Sequence, residues 1–152
     1  MPGLYSCRWT RLREPGKALT VAYVDADDFK GINDRYGHAY GDEVLRSIAN
    51  TLKQNLRETD SISRVGGDEF VILLPETDAE QAHAVLSKLQ SVMAASMARF
   101  ETKISVSVGA VVFDEPPLDV DALTKASDAA MYRAKANGKN GIFFHSFAAK
   151  PA

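Results

Sequence analysis

The chain has 152 residues, and its 18 lysines and arginines against 20 aspartates and glutamates give a net charge of −2. That length is typical of one domain, and with 45% apolar and 25% charged residues the composition excludes a disordered chain, a collagen and a coiled coil. The near-neutral charge gives no general affinity for nucleic acid, and the single cysteine, Cys7, excludes an internal disulfide. The absence of a long apolar run or a signal-peptide pattern predicts a cytoplasmic domain.

The first half of the chain contains four patterns of regular structure. Residues 19–24 form an apolar, β-branched run, which predicts a central strand buried on both faces. Glycines at 31, 37 and 41 then indicate a short, partly helical loop, and apolar residues at helical spacing predict a helix over about 42–56. Two strand-like runs, 61–65 and 69–74, flank Gly66-Gly67, which favours a two-residue hairpin with the glycines at positive φ.

The second half continues the alternation of helices and strands. A long helix is predicted to start near Asp78, and a strand over about 103–113 alternates apolar residues with serines, which predicts one buried and one wetter face. A last helix over about 120–136 should end at Asn137-Gly138, and 142–144 should add a short edge strand. This order predicts an α+β fold: a ferredoxin-like or palm-type core whose central, largely antiparallel sheet is flanked by helices.

Carboxylates stand at two places that this fold brings together. Asp68 and Glu69 follow the glycine pair directly, and Asp25 ends the central strand. If that strand lies beside the hairpin, Asp25 and Asp68 converge at one edge of the sheet, and a pair of hard oxygen ligands there suits Mg²⁺ and phosphoryl-group chemistry. The alternative for each acid is a solvated residue at the end of a strand.

Three longer motifs narrow this chemistry to a family. They are DADDFKGINDRYGHAYGD at residues 25–42, RVGGDEF at 64–70 and DAAMYRAKANGKN at 128–140. In these motifs the chain resembles the GGDEF-domain diguanylate cyclase family, and the resemblance covers about residues 19–144. The main departure inside them is Lys139, where the family more often has arginine, which keeps the charge but loses the bidentate fork.

The resemblance implies an activity and a cofactor. Members of the family condense two GTP molecules into cyclic di-GMP and release two pyrophosphates, by phosphoryl transfer of the two-metal type across a homodimer. By resemblance the catalytic residues are Asp25, Asp68 and Glu69, with Asp68 also a candidate for activating the 3′-hydroxyl. The same three side chains and the backbone carbonyl of Ala26 would bind the metal, Mg²⁺ or Mn²⁺.

The resemblance also assigns the substrate contacts. Asn33 and Asp42 would read guanine, because a carboxylate accepts the two parallel donors that guanine presents and adenine lacks; the alternative for Asp42 is an N-terminal helix cap. The phosphates would be bound by three lysines and by backbone amides at a helix start near Phe29. The lysines are Lys30, Lys135 and Lys139.

A second binding site is implied for the product. Arg57-Glu58-Thr59-Asp60 stands where the family places its inhibitory cyclic di-GMP site, and Arg64 would assist from the next strand. Arginine can grip guanine acceptors bidentately. The alternative is a surface ion pair at the end of a helix, which would have little energetic weight.

The amino terminus departs from the family pattern, since only Gly3, Leu4 and Arg8 of its usual opening motif remain. We therefore expect one domain over 1–152, with a degenerate segment 1–18, a catalytic core 19–144 and a tail 145–152. We also expect a longer parent protein with an upstream sensory part, cytosolic or anchored in a membrane, and a fragment that is monomeric or weakly dimeric. The competing hypotheses are a catalytically weak or inactive module that binds GTP or cyclic di-GMP, and a cyclase that forms a cyclic mononucleotide.

Overall fold

The structure is a computed structural model that describes residues 17–114, 120–136 and 141–147. These residues form nine elements of regular structure. In chain order they are β1 (Leu19–Ala26), α1 (Phe29–Tyr36), α2 (His38–Gln54), β2 (Ser61–Arg64), β3 (Glu69–Pro75), α3 (Ala79–Met97), β4 (Val106–Phe113), α4 (Val120–Ala136) and β5 (Ile142–Phe147). None of the helices in the described ranges combines the length and apolarity that a bilayer crossing needs.

The five strands form one sheet in the order β2-β3-β1-β4-β5. The pairs β2/β3, β3/β1 and β1/β4 are antiparallel, whereas β4/β5 is parallel. The predicted α+β fold with a largely antiparallel sheet is therefore confirmed, as are the central position of β1 and the edge position of β5.

The strand β1 is the centre of the core, since all eight of its residues are buried. Its even-numbered residues face a cluster formed with α2 and α3, which includes Val24, Ile48, Ile72 and Leu86. Its odd-numbered residues Leu19, Val21 and Tyr23 join a second cluster on the opposite face, over which α4 contacts β4, β5 and β1. The prediction of burial on both faces is confirmed, because helices cover both sides of the sheet.

The segment between β1 and the long helix is more helical than predicted. The structure has a separate eight-residue helix, α1, and α2 begins at His38 instead of near residue 42. Gly37 separates the two helices with φ 91° and ψ 164°, a conformation that side-chain-bearing residues rarely adopt. The glycine that the sequence marked as loop is thus a one-residue break between two helices.

The predicted two-residue hairpin is wrong in its details. Residues 65–68 connect β2 to β3, and the amide of Val65 donates to the carbonyl of Glu69 at 3.0 Å. Among the described glycines only Gly37 has positive φ, so the backbone of the turn does not require glycine at 66 or 67. The longer connection removes the need for the mirror-image turn that a two-residue loop imposes.

The wetter face predicted for β4 is also wrong. All eight residues of β4 are buried, and Ser107 is 0% exposed, because α4 packs over the serine-bearing side. The strand begins at Val106, three residues later than predicted, and β5 continues to Phe147 instead of ending at 144. The helix α4 spans Val120–Ala136, and the predicted stop at Asn137-Gly138 lies outside the described residues.

The predicted start of α3 near Asp78 is confirmed, and a capping box explains it. The Asp78 carboxylate accepts a hydrogen bond from the amide of Gln81 at 2.9 Å, and the Gln81 side chain accepts one from the amide of Asp78 at 3.0 Å. Each bond satisfies a backbone donor that the helix itself leaves without an acceptor.

We expect Asp78→Ala to lower the free energy of unfolding by about 1 kcal/mol, because it removes the side-chain acceptor of the cap. Asp78→Asn keeps an acceptor of similar quality and is the matched control. Urea denaturation followed by circular dichroism measures both. Equal losses in the two variants would contradict the capping role.

Candidate functional site

Two carboxylate residues lie opposite each other on neighbouring strands at the end of β1. Asp25 pairs with Glu69 of β3 on one side and with Ser107 of β4 on the other. Residues directly opposite in an antiparallel pair point to the same face, with Cβ atoms about 4.5–5.5 Å apart. Asp25 is only 4% exposed, so this register places a buried acid directly opposite a second acid, and both offer the hard oxygen donors that Mg²⁺ prefers.

The hairpin brings the third predicted acid to the same place. The amide of Ala26 donates to the carbonyl of Asp68 at 3.3 Å, so Asp68 lies beside the last residue of β1. The structure therefore gathers the ends of β1 and β3 in the way that the sequence predicted, with Asp25, Ala26, Asp68 and Glu69 on adjacent backbone segments.

The donor set fits a magnesium ion that a phosphate ligand helps to hold. Within the described residues, no group of three His, Cys, Asp or Glu side chains stands close enough to hold a metal alone. Mg²⁺ in nucleotide sites is usually bound by one or two carboxylates and by phosphate oxygens, not by an all-protein cage. Two opposed carboxylates with a nearby carbonyl match that pattern.

A further acid, Asp27, has a place in the site that the sequence analysis missed. Its carboxylate accepts hydrogen bonds from the hydroxyls of Ser105 at 2.6 Å and Ser107 at 2.5 Å. Its amide donates to the carbonyl of Ser105 at 2.9 Å. The sequence offered one signal for this contact: two aspartates, Asp25 and Asp27, and two serines, Ser105 and Ser107, each stand at alternate positions. The serines were interpreted only as the solvent-facing side of a strand.

The turn from β1 to α1 contains strained backbone. Asp28 lies in the left-handed region with φ 52° and ψ 39°, which costs a residue with a side chain roughly 1–2 kcal/mol. Its carboxylate packs close to Gly31, where an added Cβ would lie 2.6 Å from Oδ2. The helix start at Phe29 and Lys30, predicted to contact phosphates, follows this turn directly, and the Lys30 side chain is exposed.

The two residues predicted to read guanine are also close together. An added Cβ at Gly41 would lie 1.8 Å from Oδ1 of Asn33 and 3.0 Å from Cζ of Phe29, so the Asn33 amide rests on the backbone just before Asp42. That Oδ1 atom is buried and accepts no hydrogen bond in the described structure. Asp42 is exposed, and because Gly37 caps α2 the helix-cap alternative for Asp42 is excluded.

Beside Asp42 runs a groove of about 320 Å³ between α2 and the hairpin. Its walls combine an acid, two arginines and apolar side chains. The lining residues are Asp42, Leu45, Arg46, Ala49, Arg64 and Phe70.

Arg57 and Asp60 form a closed ion pair before β2. The Asp60 side chain is 2% exposed whereas that of Arg57 is 55% exposed. Both Asp60 oxygens accept from the Arg57 guanidinium, at 2.9 and 3.2 Å, and the hydrogen bond to Asp60 raises the pKa of Arg57 despite a small opposing effect of burial. The same guanidinium donates to the Pro75 carbonyl at 3.2 Å and to the Thr77 hydroxyl at 3.1 Å.

The structure does not bring Arg64 to this pair. The Arg64 guanidinium donates to the carbonyls of Gly66, at 3.2 Å, and Gly67, at 2.5 and 3.0 Å. Four residues of strand, on the order of 13 Å of backbone, separate it from Asp60. Arg64 therefore braces the hairpin at the opposite end of β2.

Two further lysines, Lys135 and Lys139, are predicted to contact phosphates. Lys135 lies in the last turn of α4, on the helix that covers the face carrying Asp25 and Glu69, and its side chain is outside the described set. Lys139 lies outside the described residues altogether.

Comparisons with known sequences agree on one family. The model of the family described as "Diguanylate cyclase, GGDEF domain" matches residues 5–141. The chain is 39% identical over 135 residues, 87% of its length, to diguanylate cyclase DgcP of Pseudomonas aeruginosa. It spans only 20% of the length of that relative.

Comparisons with solved structures agree with the sequence. The active GGEEF domain of a diguanylate cyclase from Vibrio cholerae has a TM-score of 0.78 and 32% identity, over 93% of this chain and 89% of that one. The GGDEF domain of DgcB from Caulobacter crescentus in complex with c-di-GMP has a TM-score of 0.80 and 26% identity, over 91% and 84% of the two chains.

We expect Gly41→Ala to destabilise the protein although alanine is favoured over glycine in a helix by about 1 kcal/mol. The added methyl group overlaps the Asn33 amide, and overpacking of this kind costs about 1–3 kcal/mol. In an Asn33→Ala background the overlap with the amide is gone and only the 3.0 Å contact with Phe29 remains, so the same substitution should cost clearly less. Urea denaturation of the four proteins in this double-mutant cycle gives the coupling, and a zero coupling would contradict the close contact.

Proposed function

Because the chain belongs to the GGDEF-domain family of diguanylate cyclases, we propose that it condenses two GTP molecules into cyclic di-GMP with release of two pyrophosphates. The Vibrio cholerae neighbour is described as an active domain of this type, and the described core of this chain is of similar extent. The proposal extends that activity to these residues.

The register of Asp25 and Glu69 is the observation that carries the proposal. It sets two carboxylates on adjacent strands at the end of β1, with Ala26 and Asp68 on the neighbouring backbone segments. Carboxylate and carbonyl oxygens are the protein donors that Mg²⁺ takes in nucleotide sites, and these residues would hold it. When bound, Mg²⁺ neutralises charge on the triphosphate and orients it for in-line displacement.

Guanine recognition is proposed at Asn33 and Asp42. The buried Oδ1 of Asn33 accepts no hydrogen bond in the described structure, and an unsatisfied amide costs about 1–3 kcal/mol. The exocyclic amine of guanine is a donor that could satisfy this amide, and the exposed Asp42 carboxylate can accept from the N1–H side of the base. Adenine offers no equivalent donor pair, so ATP should be rejected.

The triphosphate is proposed to lie between the hairpin and the start of α1. The backbone amides of Phe29 and Lys30 belong to the first turn of α1. Amides at a helix N-terminus lack intrahelical acceptors and bind anions, and Lys30 adds a positive charge. Gly67 supports this placement: its φ is ordinary and an added Cβ would meet nothing within 4 Å. Since the fold does not need glycine there, a bare backbone is best explained by a ligand that approaches closely.

The chemistry needs two chains. In each transfer, the 3′-oxygen of one GTP forms a bond to the α-phosphorus of the other, and the bond from that phosphorus to the pyrophosphate oxygen breaks. Asp68 is our candidate for accepting the proton from the 3′-hydroxyl. Each chain holds one nucleotide, so two copies must face each other, and Lys135 and Lys139 are proposed to neutralise charge on the leaving group.

Incubation of the protein with GTP and Mg²⁺ should give cyclic di-GMP and pyrophosphate, separated by chromatography. The rate per chain should rise with protein concentration, because the active species is a dimer. Asp68→Ala should lower the rate by on the order of 100-fold. ATP should give no cyclic dinucleotide.

Asp121→Ala is the matched control, because it removes an exposed carboxylate from the first turn of α4. Its rate should equal that of the unsubstituted protein. Binding of GTP without product at any protein concentration would contradict the cyclase proposal and favour a receptor module instead.

We also propose that Arg57 forms a product-inhibition site, supported by the cyclic di-GMP complex of the Caulobacter crescentus neighbour. Asp60 is buried and already engaged with Arg57, so its role is to hold the guanidinium, not to contact a ligand. The exposed half of Arg57 is then the part that meets the guanine acceptors of the product. Arg64, engaged on the hairpin, contributes only if it leaves those carbonyls.

Arg57→Lys should raise the concentration of cyclic di-GMP that half-inhibits the enzyme by about tenfold. Lysine keeps the charge, but it cannot hold Asp60 with two nitrogens and present a third to the ligand as the guanidinium does. We choose lysine because Arg57→Ala would leave the buried Asp60 carboxylate without its partner and threaten the fold. Lys53→Ala removes an exposed cation of α2 and is the control. Inhibition that is unchanged in Arg57→Lys would contradict the site.

A further inference from the structure

We propose that Asp27 is a positioning residue, which acts through Ser105 and Ser107 to fix the strained turn that presents the metal-binding and phosphate-binding backbone. This inference rests on the proposed function, because it concerns the same site. Asp27 is included neither among the proposed metal donors nor among the proposed guanine contacts.

The contacts of Asp27 define an anchor with three points. Two hydroxyls donate to its two carboxylate oxygens, at 2.6 and 2.5 Å, and its amide donates to the carbonyl of Ser105 at 2.9 Å. Hydrogen bonds to an ionised group are short and roughly twice as strong as neutral ones. Asp27 therefore ties the chain that leaves β1 to the start of β4.

The anchor lies directly before backbone that needs to be held. Asp28 adopts φ 52° and ψ 39°, and such strain persists only where the surroundings fix it. On the amino-terminal side the Asp27 carboxylate is held by Ser105, which precedes β4, and by Ser107 within it. On the carboxy-terminal side the Ile32 amide donates to the Asp28 carbonyl at 3.1 Å, and the Asp28 side chain packs at Gly31.

The hydroxyl protons commit Ser105 and Ser107 to Asp27. Each serine has one hydroxyl proton, and both protons are directed to Asp27. Ser107 lies opposite Asp25 in the register of β1 with β4, yet it cannot donate the same proton to Asp25. The arrangement thus keeps the Ser107 donor on Asp27 and away from the carboxylate proposed as a metal ligand.

Amide hydrogen exchange in the nucleotide-free protein tests the anchor. In Asp27→Ala and in Ser105→Ala, the amides of residues 27 and 32 should exchange at least about tenfold faster, while the amide of Ala22 in the middle of β1 should change no more than in Asp78→Ala. Asp78→Ala is the matched control, because it removes an aspartate that holds backbone far from the site. Ser105→Thr keeps the hydroxyl and should restore slow exchange.

Nucleotide binding tests whether the anchor positions the site. We would measure the affinity for a GTP analogue with a methylene bridge between the α and β phosphorus atoms, over a range of Mg²⁺ concentrations. Asp27→Ala should weaken binding about tenfold and raise the Mg²⁺ concentration needed for half-saturation, and Ser105→Thr should bind like the unsubstituted protein. Asp78→Ala should lose stability without either change.

The outcomes separate the two proposals. If the unsubstituted protein binds the analogue, and Asp27→Ala binds it with the same affinity and Mg²⁺ dependence, the positioning role is overturned while the proposed function stands. Unchanged exchange at residues 27 and 32 in Asp27→Ala would also overturn it. If the unsubstituted protein binds no analogue at any Mg²⁺ concentration, the proposed function fails and the positioning role fails with it.

Discussion

The antiparallel register of β1 with β3 is the constraint on which the site depends, because it sets Asp25 opposite Glu69. A shift by one residue would turn every side chain of β1 to the other face of the sheet. Burial of β1 on both faces prevents such a shift, since it would expose or misplace two apolar clusters at once. The apolar core therefore fixes the positions of the two carboxylates.

The remainder of the site is built from the chain segments next to the paired ends of β1 and β3. The chain leaves β1 through a strained turn that β4 holds by way of Asp27, and the short helix α1 then carries Asn33 back to Gly41 on α2. The hairpin closes the opposite side, braced by Arg64 on its own carbonyls. Rigid elements thus surround a small region of irregular backbone, which is how functional sites are commonly held by a scaffold.

The sequence predicts the elements of this fold well where the hydrophobic pattern is long, as in β1 and α3. It predicts them poorly where a single residue sets the boundary of an element. The start of α2 depends on the φ angle of Gly37, and the pattern of glycines could not show which of them breaks the helix. The buried serine face of β4 was interpreted as wet because period-two alternation reports the polarity of a strand, not what covers it. The anchor on Asp27 could not be foreseen for a related reason. Asp27 comes 78 positions before Ser105 and 80 positions before Ser107 in the sequence, and only the register of β1 with β4 brings them together.

The closed pair of Arg57 and Asp60 has a consequence for how a ligand would be received there. An exposed arginine normally surrenders rotamer freedom on binding, at about 0.5–1.5 kcal/mol for an immobilised side chain. Here Asp60, Pro75 and Thr77 have already taken that freedom away. The guanidinium is held in one position before any ligand arrives, so a ligand would meet a preorganised surface and its binding would cost the protein little conformational entropy.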